Sequence, residues 1–349
     1  MTDENRPDQR GPILFLILLM MLALLTVAWG VGHPQAFADS ATPPRGGIDP
    51  ASSGVSPGRP STTPTDPAQD DSPPPTGPTT SPAAPGDPAT LPSGSRRVFG
   101  GHRFLVAYYG TAETGALGVL GETRPDEMQR RVHRAAAPFK RPGQPVQVVY
   151  ELIVTIADRS AGPDGDYSHD IDRRSVARYI RAAHRHGALL LLDLQPGRSD
   201  FLAVAKRWAW ALKDPWVGLA LDPEWRLGPH LAPAQVVGHV RATEVNRTSS
   251  WLAAVTRRLH LPEKLFVLHQ FRTTMIEDIA RVRARRGLAM VQHVDGFGTR
   301  GEKMATYHAV QRAGQFTMGL KIFYDEDRDR MGPAFVHAIR PRVRFVSYQ

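Results

Sequence analysis

The sequence predicts an α/β protein, a (β/α)8 TIM-like barrel preceded by a transmembrane or signal segment and a disordered linker. Three observations predict it. Eight short apolar runs recur between residues 99 and 349, and amphipathic helical stretches separate most of them. Those roughly 250 residues match the usual size of such a barrel. No Gly-x-Gly-x-x-Gly fingerprint follows the first run, which argues against a dinucleotide-binding sheet and leaves no cofactor implied.

In chain order, residues 1–38 read as a cytoplasmic stub followed by an anchor or signal peptide. Ile13 to Val31 is uncharged and apolar, long enough at about 1.5 Å per residue to nearly span a bilayer core. Arg6 and Arg10 precede it and no further Lys or Arg occurs before Arg45, which orients the N-terminus inward and the rest outside. The expectation is an extracytoplasmic, single-pass anchored protein. Ala36-Phe37-Ala38 resembles a cleavage site, and secretion after cleavage near Ala38 is the alternative. Residues 39–98 are Pro, Ser, Thr, Gly, Asp and Ala, too poor in apolar surface to offset the entropy of ordering. They read as an extended tether.

The domain is expected over 99–349. Its candidate strands are Phe104–Tyr109, Val146–Glu151, Ala188–Leu194, Val217–Asp222, Leu265–Gln270, Leu288–Val294, Gly319–Tyr324 and, more weakly patterned, Val343–Tyr348. Helical periodicity is clearest over Asp172–His186, Asp200–Lys213, Pro233–Leu259 and Gly301–Ala313. Asp200 and Pro233 read as starts, Gly187 and Gly314 as stops. No helix follows the last strand, which predicts imperfect closure.

Composition narrows the chemistry. The absence of Cys excludes disulfides, thiolate ligands and a Cys nucleophile. The net charge of +9 is carried mostly by Arg spread over several helices. That pattern suits an anionic wall polymer or surface better than nucleic acid, which is not expected as a partner.

Polar residues gather at the predicted C-terminal ends of the strands, the active face of such barrels. Asp222 and Glu224 lie two apart, and an extended chain would send both side chains to one side. Neighbouring carboxylates raise one another's proton affinity, so one stays protonated as an acid while the other ionises. Glycoside hydrolysis needs that division. Glu224 and Asp222 are therefore the catalytic candidates. The competing reading pairs them with Arg198 or Arg226 to hold loops. Tyr108, Tyr109, Glu151, Asp193, Gln195, Trp225, His269, Gln292, His293, Asp295, Tyr324 and Asp325 are the candidates for lining a substrate site. His269 and His293, with Asp193 and Asp295, could instead bind a metal ion if they converge.

Several motifs carry a resemblance: Tyr108-Tyr-Gly, Asp193-Leu-Gln-Pro-Gly-Arg198, Leu221-Asp-Pro-Glu-Trp225, Gln292-His-Val-Asp-Gly-Phe-Gly298 and Phe323-Tyr-Asp-Glu-Asp327. Together they resemble an uncharacterised family of secreted or anchored proteins of high-GC Gram-positive bacteria. Asp222-x-Glu224 also resembles the strand-4 motif of barrel glycosidases such as family-18 chitinases and family-25 lysozymes. That likeness implies Glu224 as general acid, with Asp222 stabilising the intermediate. The expected function is glycoside-hydrolase-like action on a cell-envelope polysaccharide. The alternatives are a non-catalytic glycan-binding barrel and a metal-dependent hydrolase using His269 and His293.

Overall fold

The computed structural model describes residues 88–349. The predicted anchor and all but the end of the predicted linker lie outside the described residues. Among the described residues no helix is long and apolar enough to cross a membrane.

Eight parallel strands close into a barrel: β1 (Phe104–Thr111), β2 (Val146–Ala157), β3 (Leu189–Leu194), β4 (Val217–Leu221), β5 (Lys264–Gln270), β6 (Leu288–Val294), β7 (Thr317–Ile322) and β8 (Val343–Tyr348). Each pairs with the next in sequence, and β8 pairs with β1, with Leu105 opposite Phe345 and Tyr108 opposite Tyr348. Closure is complete even though β8 has no helix after it. An additional strand, Ser168–Asp170, runs antiparallel to the end of β2, and the pair Val240–Arg241 and Ile276–Glu277 forms a separate two-stranded ribbon.

The helices are α1 (Pro125–Ala136), α2 (Arg173–His186), α3 (Phe201–Arg207), α4 (Ala242–Arg258), α5 (Arg300–Val310) and α6 (Pro333–Ala338). Asp200 caps α3 through Leu202 N–H, and Gly187 ends α2 at φ 62°, both as the sequence predicts. Gly314 stops nothing, because α5 ends at Val310. The helix expected from Pro233 begins only at Ala242. The chain before it folds over the end of β4, with Gly238 N–H donating to Glu224 O at 2.6 Å and His239 N–H to Arg226 O at 2.9 Å. A Cβ on Gly238 would fall 2.5–2.7 Å from three carbonyl oxygens, so this approach needs glycine.

Alternation along the strands separates two cores. One face packs on the helices around Phe104, Tyr150, Phe266 and Leu320. The other fills the barrel with small and branched residues, among them Leu105, Ala107, Val149, Leu191, Ala220, Val267 and Val291. Residues 88–98, which composition assigns to the linker, belong to this packed domain. Leu91 and Val98 join the inner core, and Arg96 donates to His260 O and Leu261 O at 3.0 Å. They cover the N-terminal mouth.

Candidate active site at the C-terminal end of the barrel

One step beyond the apolar layers, the inward-facing positions become polar on every strand. Counting by twos from the inner core gives Tyr109, Glu151, Asp193, Asp222, His269, His293, Lys321 and Ser347. All eight are buried. Asp295 follows His293 by two residues and completes the layer.

Asp295 organises one half of it. Its Oδ1 accepts from His293 Nδ1 at 2.8 Å and its Oδ2 from His269 Nδ1 at 2.7 Å. The Lys321 ammonium sits 3.0 Å from Asp295 Oδ2 and 3.7 Å from the Tyr109 ring centre, a cation–π contact. Burial works against the Asp295 carboxylate, but His269 and Lys321 outweigh it and hold it well below the usual carboxylate range. Burial likewise disfavours the His269 imidazolium, yet the Asp295 charge raises its proton affinity well above that of a free histidine. His293 is pushed down by burial, and its Nε2 lies 3.3 Å from Ser347 Oγ.

The other half is acidic. Tyr109 OH donates to Asp193 Oδ2 at 2.8 Å, and Gln195 Nε2 donates to Tyr109 OH at 3.3 Å. Burial raises Asp193, with the nearby Glu151 charge adding to the effect. Burial and then the Glu224 charge raise Asp222 well above the usual range. Glu224 is pushed up to about 7, chiefly by desolvation. The residue as a whole is half-buried at the rim.

The shared side of Asp222 and Glu224 does not come from a strand. β4 ends at Leu221, Asp222 leaves it, and Pro223–Trp225 makes a 3-10 turn that seats Glu224 over the layer. Neither Arg198 nor Arg226 locks these carboxylates. Arg226 Nε pairs with Glu244 at 3.0 Å, and Arg198 Nε donates to Leu231 O at 2.8 Å while its guanidinium lies 4.3 Å from the Tyr167 ring centre.

Four predicted lining residues sit elsewhere. Gln292 has the opposite strand parity and faces the helices, donating to Val310 O at 2.8 Å and accepting from Arg312 N–H. Tyr108 also points outward, in an aromatic group with Tyr324 and Tyr348, and Tyr324 stacks on Tyr348 at 5.2 Å. Asp325 is exposed. The residue of that acidic run that turns inward is Asp327, which pairs with the buried Lys303 at 3.0 Å. Trp225 stands partly exposed beside Glu224.

Sequence reading passed over Lys321 and Ser347. A lone Lys flanked by Leu320 and Ile322 in an apolar strand was the available signal. Gly319 makes room for the layer, since a Cβ there would lie 2.4 Å from His293 Cδ2.

In the loops after β3 and β4 a surface cavity of about 540 Å³ is lined by Arg198, Arg226, His239, Arg241 and Glu244, without Glu224. A second, of about 460 Å³, lies in the Lys140–Pro145 loop before β2, at the opposite end from this chemistry. No known family model matches the chain. No curated protein matches it either.

Proposed function

We propose that this protein is an extracytoplasmic hydrolase of glycoside-hydrolase type that acts on a cell-envelope polysaccharide, with Glu224 as the proton donor and Asp222 as its partner. The observation that carries this reading is Glu224 itself. Its carboxyl belongs to a half-buried rim residue, has no arginine partner among the described residues, and is raised to about 7, chiefly by desolvation, above a buried acidic layer. A carboxylic acid protonated near neutral pH and able to contact substrate is what glycosidic protonation needs. Trp225 beside it offers an apolar face for a sugar ring. The net charge of +9, carried mostly by Arg, suits an anionic polymer. The apolar segment 13–31 and the stretch from 39 fit a domain held at a membrane or released near Ala38 to work on the wall.

The test is hydrolysis of peptidoglycan and a panel of wall glycans by the full-length chain, with Glu224→Gln as the matched variant. New reducing ends produced by the wild type and lost in Glu224→Gln support the assignment. Retained glycan binding in both, without cleavage, replaces it with a non-catalytic binding barrel.

A further inference from the structure

The hydrogen bonds of the polar layer leave one set of atoms over. Asp295 has both oxygens engaged, by His269 Nδ1, His293 Nδ1 and Lys321. His293 is satisfied at Nδ1 by Asp295 and at Nε2 by Ser347. Asp193 Oδ2 is taken by Tyr109. Among the described residues, Glu151 Oε1, Glu151 Oε2, Asp193 Oδ1 and His269 Nε2 are buried with no hydrogen-bond partner. All three side chains are wholly buried. A buried carboxylate with neither oxygen hydrogen-bonded is costly and uncommon.

His269 Nε2 approaches both acids. His269 Nε2 lies 3.1 Å from Glu151 Oε1, out of hydrogen-bonding alignment, and 3.8 Å from Asp193 Oδ1. Two donors each about 2.0–2.2 Å from one ion are separated by roughly 3–3.5 Å in tetrahedral coordination. The Glu151 spacing falls within that range and the Asp193 spacing lies just above it. The Asp295 carboxylate on Nδ1 fixes the imidazole so that Nε2 faces the two acids; a bound cation would take the place of the Nε2 proton, giving a carboxylate–histidine–metal arrangement.

We propose that Glu151, Asp193 and His269 bind one divalent transition-metal ion, of the Zn2+ or Mn2+ kind, at the C-terminal end of the barrel. Two carboxylates and one imidazole suit these ions, and an imidazole disfavours Mg2+. Three protein ligands leave a coordination position open, the pattern of reactive rather than structural sites. Charge agrees. Glu151, Asp193 and Asp295 share the layer with the Lys321 ammonium, and a dication would take the place of the proton that His269 otherwise holds between Asp295 and Glu151. The two histidines do come together, His269, His293 and Asp295 lying within 4.8 Å of one another, but both Nδ1 atoms and both Asp295 oxygens are spent on each other and on Lys321, and His293 Nε2 on Ser347. The ion set expected from the two histidines is therefore replaced by one that keeps His269 and exchanges His293 for Glu151. Glu224 is outside this set, and the test below reads binding, so its outcome is separable from that of the glycosidase reading.

The experiment strips the full-length chain with a chelator, dialyses it against Zn2+, Mn2+ or Mg2+ in turn, and measures bound metal per chain. Wild type should retain one Zn2+ or Mn2+ and no stoichiometric Mg2+. Glu151→Gln, Asp193→Asn and His269→Gln, each checked by circular dichroism for folding, should lose it. Asp295→Asn should weaken affinity about 10- to 100-fold, because it orients a ligand without being one. His293→Gln should still hold one ion. Co2+ in the wild type should give the visible bands of a four-coordinate nitrogen/oxygen site, a readout that needs no variant. Folded wild type without stoichiometric Zn2+ or Mn2+ would overturn the proposal and leave His269 as an imidazolium between Glu151 and Asp295. So would wild-type affinity in Glu151→Gln, or an ion lost in His293→Gln and kept in Glu151→Gln.

Discussion

Replacing Asp295 by Ala should be among the most destabilising single changes in the barrel. The carboxylate accepts from His269 at 2.7 Å and His293 at 2.8 Å and faces Lys321 at 3.0 Å. Its removal strands a buried ammonium and two imidazole N–H groups. Breaking a buried charge pair by deleting one partner costs about 3–5 kcal/mol. In a domain of this size each kcal/mol shifts the melting temperature by roughly 2–4 °C, so the expected drop is about 6–20 °C. The pH dependence supplies a sharper check. Asp295 is held below its unfolded value, so its contribution is fully present above about pH 4 and is lost as pH falls through the folded value. The gap between wild type and Asp295→Ala should therefore be constant near neutrality and shrink in acid. Urea midpoints followed by circular dichroism from pH 3 to 8 measure this. A loss below about 1 kcal/mol at pH 7, or a gap that does not begin to narrow below about pH 4, would refute the account of Asp295 as the charge anchor of the layer.

Glu224→Gln should lower glycan hydrolysis by about 10²- to 10⁴-fold, the usual worth of a general acid. The wild-type rate should fall as pH rises through about 7, where Glu224 loses its proton, and a rate still climbing above that pH contradicts the assignment. The same substitution should stabilise the fold. Glu224 titrates higher folded than unfolded, so its favourable contribution vanishes as pH rises through 7, and Glu224→Gln should gain on the order of 1–3 kcal/mol at pH 8 and nothing at pH 4. Urea midpoints at the two pH values decide it. Gly319→Ala should cost about 1–3 kcal/mol by driving a methyl into the His293 ring, read as a lowered unfolding midpoint.

Strand positions were legible because each barrel strand is an apolar run bounded by polar or turn residues, and burial on both faces demands that pattern. Ends were less legible. The Pro233 region carries helical periodicity, but Gly238 is needed against three carbonyls brought in from a neighbouring turn, which nothing local announces. Residues 88–98 look like linker by composition, yet two apolar side chains, Leu91 and Val98, suffice to seat them over the barrel mouth.

The sequence by itself determined the repeating βα architecture and that acidic and imidazole groups collect at the strand ends, since both follow from period-two alternation and strand order. Tertiary structure decided which of those groups meet. Parity sends Tyr108 and Gln292 outward while Tyr109 and His293 turn in, and the pairing of β7 with β6 brings Lys321 against Asp295. Whether a carboxylate has both oxygens hydrogen-bonded, as Asp295 does, or faces an imidazole at 3.1 Å without aligned hydrogen bonds, as Glu151 does, depends on side chains brought in from different strands. Only the closed sheet sets those distances, and with them the charge state and chemistry of the site.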